Sequence, residues 1–145
     1  MKTVRELLAT KGSEIRSVKP TASVFDAIKL MDKHKVGGLL VLDRKKVVGI
    51  ITERDYARKV ILKGKSSKQT PVKDIMTREV IYVSPDQTIE ECMALMTEKH
   101  IRHLPVFDAG KLVGIISISD VVRANISDKE FLIEQLTQYI SGAQV

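Results

Sequence analysis

The sequence predicts an α/β (α+β) fold of two half-domains related by a pseudo-two-fold axis, each a small sheet with packed helices. Three observations lead there. The first is an internal repeat: Val18 to Ile61 aligns on Val83 to Ile126 at an offset of 65, without a gap, with 15 of 44 pairs identical. The second is the order of patterns inside each copy. A helical-period stretch is followed by two short apolar runs rich in β-branched residues, separated by a polar turn. The third is size. Two copies of about 60 residues are each too small to bury a convincing core alone, so they are expected to pack on each other.

Thr3-Val4-Arg5-Glu6 is a capping-box pattern and opens a short helix that Lys11-Gly12-Ser13 ends. Ile15 to Val18 reads as a brief strand stopped by Pro20. Ser23 to Lys33 is amphipathic at helical spacing through Val24, Ala27, Ile28 and Met31. Val36 to Leu42 is a strand, 43–46 a turn, Val47 to Ile51 a second strand, and a helix follows to about Lys63. The polar stretch 64–71, GKSSKQTP, is the boundary between copies. The second copy retraces the path. Val72 to Met76 is a short helix, Val80 to Val83 a strand, and Thr88-Ile89-Glu90-Glu91 a capping box opening a helix to about Lys99. Ile101 to Phe107 and Leu112 to Ile116 are strands, and a helix runs from about Ser119 to Asn125. Ser127-Asp128-Lys129-Glu130 is read as a further capping box that starts a separate C-terminal helix. The resulting division is 4–63 for the first copy with 1–17 as its lead-in, 64–71 as linker, 72–126 for the second copy, and 127–145 for the last helix.

A hydrophobic content of 43% and a charged content of 29% describe a soluble globular chain. No apolar run approaches the roughly 20 residues of a membrane span. The N-terminal stretch has no apolar h-region, so the expected location is cytoplasmic. The single cysteine, Cys92, falls on the apolar side of a helix and suits a reducing compartment. The net charge of +6 leans towards anionic partners. Specific nucleic-acid binding is not expected, because there is no helix-turn-helix or zinc pattern and aromatics are few. The histidines and Cys92 show no metal-ligand spacing, and no membrane partner is expected.

The chain is organised around Val47 to Arg58, VVGIITERDYAR, which returns as Leu112 to Arg123, LVGIISISDVVR. Thr52 and Ser117 stand where a strand hands over to a helix N-terminus, a point that favours anions. Asp55 and Asp120 lie three residues on. A carboxylate that accepts two hydrogen bonds suits a ribose cis-diol. The same spacing also serves simple helix capping.

The run helix, strand, Pro-ended segment, helix, strand, turn, strand ending Gly-Ile-Ile-(Thr/Ser)-x-x-Asp, helix resembles the CBS domain, named after cystathionine β-synthase. Val72 to Thr77, His100 to Val106 and Gly114 to Ser117 are close to that family's wording, and two complete copies cover residues 4 to 126. The resemblance implies a stand-alone pair that binds AMP, ADP, ATP, NAD(H) or S-adenosylmethionine in clefts between its copies, and that works as a homodimer. It implies a first cleft with Thr52 and Asp55, joined by Arg102 and His103 of the second copy, its adenine wall including Val18 and neighbours of Leu39. It implies a second cleft with Ser117, Asp120 and Arg54, lined by Val83 and by Leu104 or Pro105. Gly37-Gly38 stand where the second copy has Arg102-His103. The sites are therefore expected to be unequal, the first being the better phosphate binder.

The function expected is a regulatory module that senses adenosine-type nucleotides and signals to an effector protein by conformational change, with no obligatory cofactor. The alternative is a structural or interaction module with vestigial clefts. Enzymatic activity is not expected: no nucleophile is paired with a base, and no Walker A or GxGxxG motif occurs.

Overall fold

The structure, a computed structural model, describes residues 2–141. It has the mixed α/β architecture expected and divides into two compact units. One is the contiguous stretch 15–81. The other joins residues 1–14 to 82–145, so the N-terminal lead-in belongs with the second repeat copy.

The unit 15–81 is a three-stranded sheet in the order β1-β2-β3 with a helix on either side of the hairpin in sequence. β1 (Ser17–Val18) pairs parallel with β2 (Gly38–Asp43), and β2 pairs antiparallel with β3 (Lys46–Thr52). The β2–β3 turn is tight, with Arg44 at φ 51° and Lys45 at φ 68°, the left-handed pair that matches strand twist. α2 (Val24–His34) starts at Ser23, whose hydroxyl accepts the Asp26 N–H, and ends at Lys35 with φ 57°. Val24, Ala27 and Met31 face Leu39, Val41 and Ile51. α3 (Glu53–Lys59) follows β3 directly, and a short 3-10 turn, Ile61–Lys63, ends the copy. The polar stretch 64–71 is tied down: the Val24 and Phe25 N–H groups donate to Thr70 O and Ser67 O. Val72, Ile75 and Met76 then close the core from a 3-10 turn, Val72–Asp74.

The other unit repeats this plan. α1 (Val4–Lys11) is capped by Thr3, and Gly12 at φ 97° ends it. α4 (Ile89–Lys99) opens on a capping box between Thr88 and Glu91 and ends at His100 with φ 55°. β4 (His103–Asp108) and β5 (Lys111–Ser117) form a hairpin turning at Ala109 and Gly110. Its bulge between Val106 and Phe107 stands at the position of the Val41/Leu42 bulge in the first hairpin.

Three backbone bonds of the exchange of lead-ins are matched between the two units. Val4, Arg5 and Ile89 N–H groups donate to Gln87, Pro85 and Lys2 carbonyls; Val72, Lys73 and Val24 donate to Ala22, Pro20 and Thr70. The strand glycines make room for it. A Cβ on Gly49 would lie 2.7 Å from Met76 Sδ and 2.9 Å from Thr77 O, and one on Gly114 would lie 2.8 Å from Leu8 Cδ2.

Two sequence expectations are corrected. The strand at 80–83 reduces to one bridge, Val83 with Val106. In the first copy the Leu40 N–H donates to Arg16 O, but Pro105 occupies the matching position and has no N–H to offer. The separate helix at 127 does not form either: α5 (Ile118–Ser141) runs unbroken for 24 residues. No Gly or Pro interrupts 118–141, so Ser127 remains helical and does not become a cap. Residues 142–145, in the stretch given to that helix, lie outside the described residues.

Candidate functional site

In each copy the second hairpin strand ends on a hydroxyl residue that begins a helix, and the helix's third residue is aspartate. The sequence folds this way because Thr52 and Ser117 are good N-caps and an acid three residues on can reach back to the cap N–H. Both capping boxes form. Asp55 Oδ2 accepts from the Thr52 N–H at 3.0 Å and the Thr52 hydroxyl at 3.1 Å, while the Asp55 N–H donates to that hydroxyl at 3.2 Å. Asp120 Oδ2 accepts from the Ser117 N–H at 2.8 Å and its hydroxyl at 3.0 Å, with the Asp120 N–H donating back at 3.3 Å. Both aspartates are buried, at 7% and 9% exposure.

The remaining oxygens take different partners. Asp55 Oδ1 is 3.1 Å from Lys59 Nζ and 3.4 Å from the Thr77 hydroxyl. Asp120 Oδ1 is 3.0 Å from Arg123, and its Oδ2 also binds Lys11 Nζ at 2.5 Å. Lys11 donates in addition to Ile115 O at 2.6 Å. Each lead-in thus delivers one polar side chain to the aspartate of the unit it joins: Thr77 to Asp55, Lys11 to Asp120. Burial resists ionisation of Asp120, but the Lys11 hydrogen bond and those from Ser117 outweigh it, so its carboxyl titrates below the ordinary range.

His103 sits opposite Ser117 in the β4–β5 register, as Gly38 sits opposite Thr52 in β2–β3. Its imidazole is held below its ordinary pKa, first by burial, then by Lys11, with Asp120 acting in the other direction and Arg102 adding to the drop. Lys11, His103 and Arg123 therefore gather around Asp120 from its own unit, with Arg102 adjoining. Around Asp55 there is Lys59, and the glycine opposite Thr52 adds no side chain.

The other expected site residues are placed as follows. Arg54 lies in the first turn of α3, half-buried. Val18 lies on β1 and packs against the core of its unit. Val83 and Leu104 are core residues at 1% and 0% exposure, and the Val83 N–H donates to Pro105 O at 3.0 Å. Lys11 and Lys59 carry no sequence signature of their own, whereas Thr77 closes the family-like stretch from Val72 and Arg123 repeats Arg58. The repeated lead-in was the one available signal for Lys11 and Thr77.

The CBS domain profile matches residues 4–62 and 72–127. The chain belongs to the CBS domain family. A CBS-domain protein from Burkholderia ambifaria, described as a putative signal-transduction protein, has a solved structure that is 52% identical, with a TM-score of 0.85, covering 88% of this chain and 96% of that one. The mitochondrial CBS domain-containing protein CBSX3 of Arabidopsis thaliana is 45% identical over 125 residues, 83% of this chain and 61% of its own length. This CBS chain therefore spans under two thirds of that relative. The CBS domain pair of protein MJ0100, solved in complex with 5-methylthioadenosine and S-adenosyl-L-methionine, is 28% identical with a TM-score of 0.77, covering 88% of this chain and 98% of that one. Among the described residues of this CBS chain, no cluster of His, Cys, Asp or Glu could hold a metal ion, and no helix is long and apolar enough to cross a membrane.

Proposed function

We propose that the chain is a non-enzymatic regulatory module that takes adenosine-type ligands at its two hydroxyl–carboxylate sites and relays their binding to an effector protein. The observation that carries this reading is the duplicated pair, Thr52 with Asp55 and Ser117 with Asp120, buried to the same degree at the same turn of each copy. In each site the cap bonds fix the carboxylate. Of the cations on the two carboxylates, Lys59 and Arg123 have side chains 45% and 73% exposed and can exchange for a ribose hydroxyl or turn onto a phosphate, Lys59 giving up its bond to Ile75 O in doing so. Arg54, Arg102 and His103 are the further phosphate contacts. Val18, Val83, Leu104 and Pro105 belong to the adenine-facing strands. AMP, ADP, ATP and NAD(H) are the ligands this chemistry fits, and MJ0100's ligands share the adenosine part. A cytoplasmic homodimer is part of the reading, with the free thiol of Cys92 in keeping with a reducing compartment.

A second reading rests on a specific observation: both carboxylates already have partners from their own chain. Those partners suit an interaction module in which the sites are vestigial.

A thermal-shift panel of AMP, ADP, ATP, NAD(H) and S-adenosylmethionine separates the two. A ligand at a hundredfold its dissociation constant stabilises the folded state by about 2.7 kcal/mol. The expected result is a ligand-specific rise that Asp55→Asn or Asp120→Asn abolishes, with the unliganded variants still folded. No rise with any of these ligands sinks the sensor reading and leaves the interaction module.

A further inference from the structure

α5 packs on its own unit at its N-terminal end, where Val121 is fully buried, and further along presents an exposed apolar face that none of the described residues covers. Ile126, Ile133 and Ile140 recur every seven residues, and Val122, Lys129 and Leu136 fall at the complementary positions of the same repeat. The five apolar members are exposed at 39% for Val122, 51% for Ile126, 64% for Ile133, 58% for Leu136 and 82% for Ile140. Leu132 and Tyr139 widen the stripe on one side, at 49% and 76%. The opposite face is mostly polar, through Ser127, Asp128, Glu134, Gln135 and Gln138. That face carries no Lys or Arg, which argues against a helix lying on an anionic membrane surface.

We propose that this stripe is a self-pairing interface, on which α5 of a second copy lies antiparallel. The register is written in the residues. With the two-fold axis near residue 131, Val122 meets Ile140 of the second copy, Ile126 meets Leu136, and Lys129 meets Ile133. Every seam position has another opposite it: on each side of the axis two pairs are apolar and one sets Lys129 against Ile133. The charges agree with this direction. Side by side in parallel, the two Lys129 ammonium groups would share one layer, a like-charge contact. Antiparallel, each faces Ile133 of the second copy and the two ammonium groups fall in different layers, while Leu132 lies one residue from the axis, next to its symmetry mate. The area is also sufficient. Seven exposed side chains at about 100 Å² each set an upper bound of roughly 700 Å² per chain, inside the range of about 600–1,000 Å² per partner for specific complexes. The proposal is independent of ligand binding. It assigns the homodimer a contact lying outside both repeat copies for most of its length.

The test is the mass of the full chain in solution by sedimentation velocity at about 50 μM, for the wild type and for Ile133→Glu with Leu136→Glu. Both residues are exposed, so the double variant should melt no lower than a wild-type sample at high dilution. The expected result is an assembly whose mass halves in the variant. A wild type that sediments as one chain, or a variant of unchanged mass, overturns the proposal and leaves the stripe to a different protein. The direction is tested separately by oxidising single-cysteine additions. Leu132→Cys should cross-link and Ile140→Cys should not, whereas the reverse pattern refutes the antiparallel register.

Discussion

Replacing Lys11 with methionine keeps most of the side chain's apolar stem and removes its charge. Two contacts are lost, the 2.5 Å bond to Asp120 Oδ2 and the 2.6 Å bond to Ile115 O. Exposed ion pairs are worth about 0–1 kcal/mol, and hydrogen bonds to charged groups about 1.5–3 kcal/mol. Here the carboxylate side chain is 8% exposed and the lysine 31%, so the pair belongs between these classes, nearer the second. The expected loss is about 2 kcal/mol at pH 7, or about 4–8 °C in melting temperature for a chain of this size. The pH dependence follows from the depressed Asp120 carboxyl. A carboxyl whose folded pKa is lowered contributes stability above its unfolded pKa, near 3.8. That stability is lost as pH falls through the folded value. The variant loses the largest of the bonds that together outweigh burial, so the gap between variant and wild type should be full at pH 7 and close on acidification below about pH 4. Urea denaturation at several pH values, with Asp120→Asn completing a double-mutant cycle, measures both quantities. A coupling under about 0.5 kcal/mol, or a gap of constant size down to acid pH, would refute the reasoning.

The two strand glycines should differ under the same substitution. Gly49→Ala meets the backbone carbonyl of Thr77, which is held by the Ile50–Thr77 bonds, and should cost about 1–3 kcal/mol. Gly114→Ala meets only the flexible end of Leu8 and should cost less in parallel chemical melts; the opposite order counts against the packing account. Lys45→Gly should stabilise by a few tenths to about 1 kcal/mol, since Lys45 holds φ 68° where the matching residue of the other hairpin is Gly110; a lower melting temperature contradicts it. Cys92 is fully buried, and burial, with Glu91 adding to it, pushes its thiol up to about 11. Labelling by a thiol-specific disulfide reagent at pH 8 should therefore track unfolding in urea, and complete labelling of the native protein within minutes would show the site to be open.

Much of each hairpin and both capping boxes were legible because their determinants are local. Thr52 and Asp55 are three residues apart, Thr88 and Glu91 likewise, and the continuous apolar runs through Leu39-Leu40-Val41 and Ile50-Ile51 mark strands buried on both faces. The exchange of lead-ins was not legible. An alignment of Val4 on Val72 says the segments are alike, but not that Val4 bonds to Gln87 and Val72 to Ala22. The missing side of the candidate site follows from that. Lys11 reaches Asp120 across 109 positions, a contact created by packing alone. The Ser127 reading failed for a different reason. A capping box needs an extended residue at its head, and nothing in 118–126 takes the chain out of the helix. The shortened strand at 80–83 turns on a single missing donor at Pro105, whose place in the register is set by the pairing of the hairpin and not by the local sequence.

The nesting of one unit inside the other bears on how the protein is made. Residues 15–81 are contiguous, so everything that unit needs has been synthesised before the fourth helix is translated. The other unit cannot close until α1, the first helix synthesised, finds strands made some 90 residues later. Joining ends across a flexible loop of about 67 residues costs on the order of 4 kcal/mol in chain entropy. An insert that has already folded replaces that loop with an ordered body. The earlier unit then acts as a scaffold within the chain, and damage to its core should delay the unit that contains Asp120 without touching any residue of it.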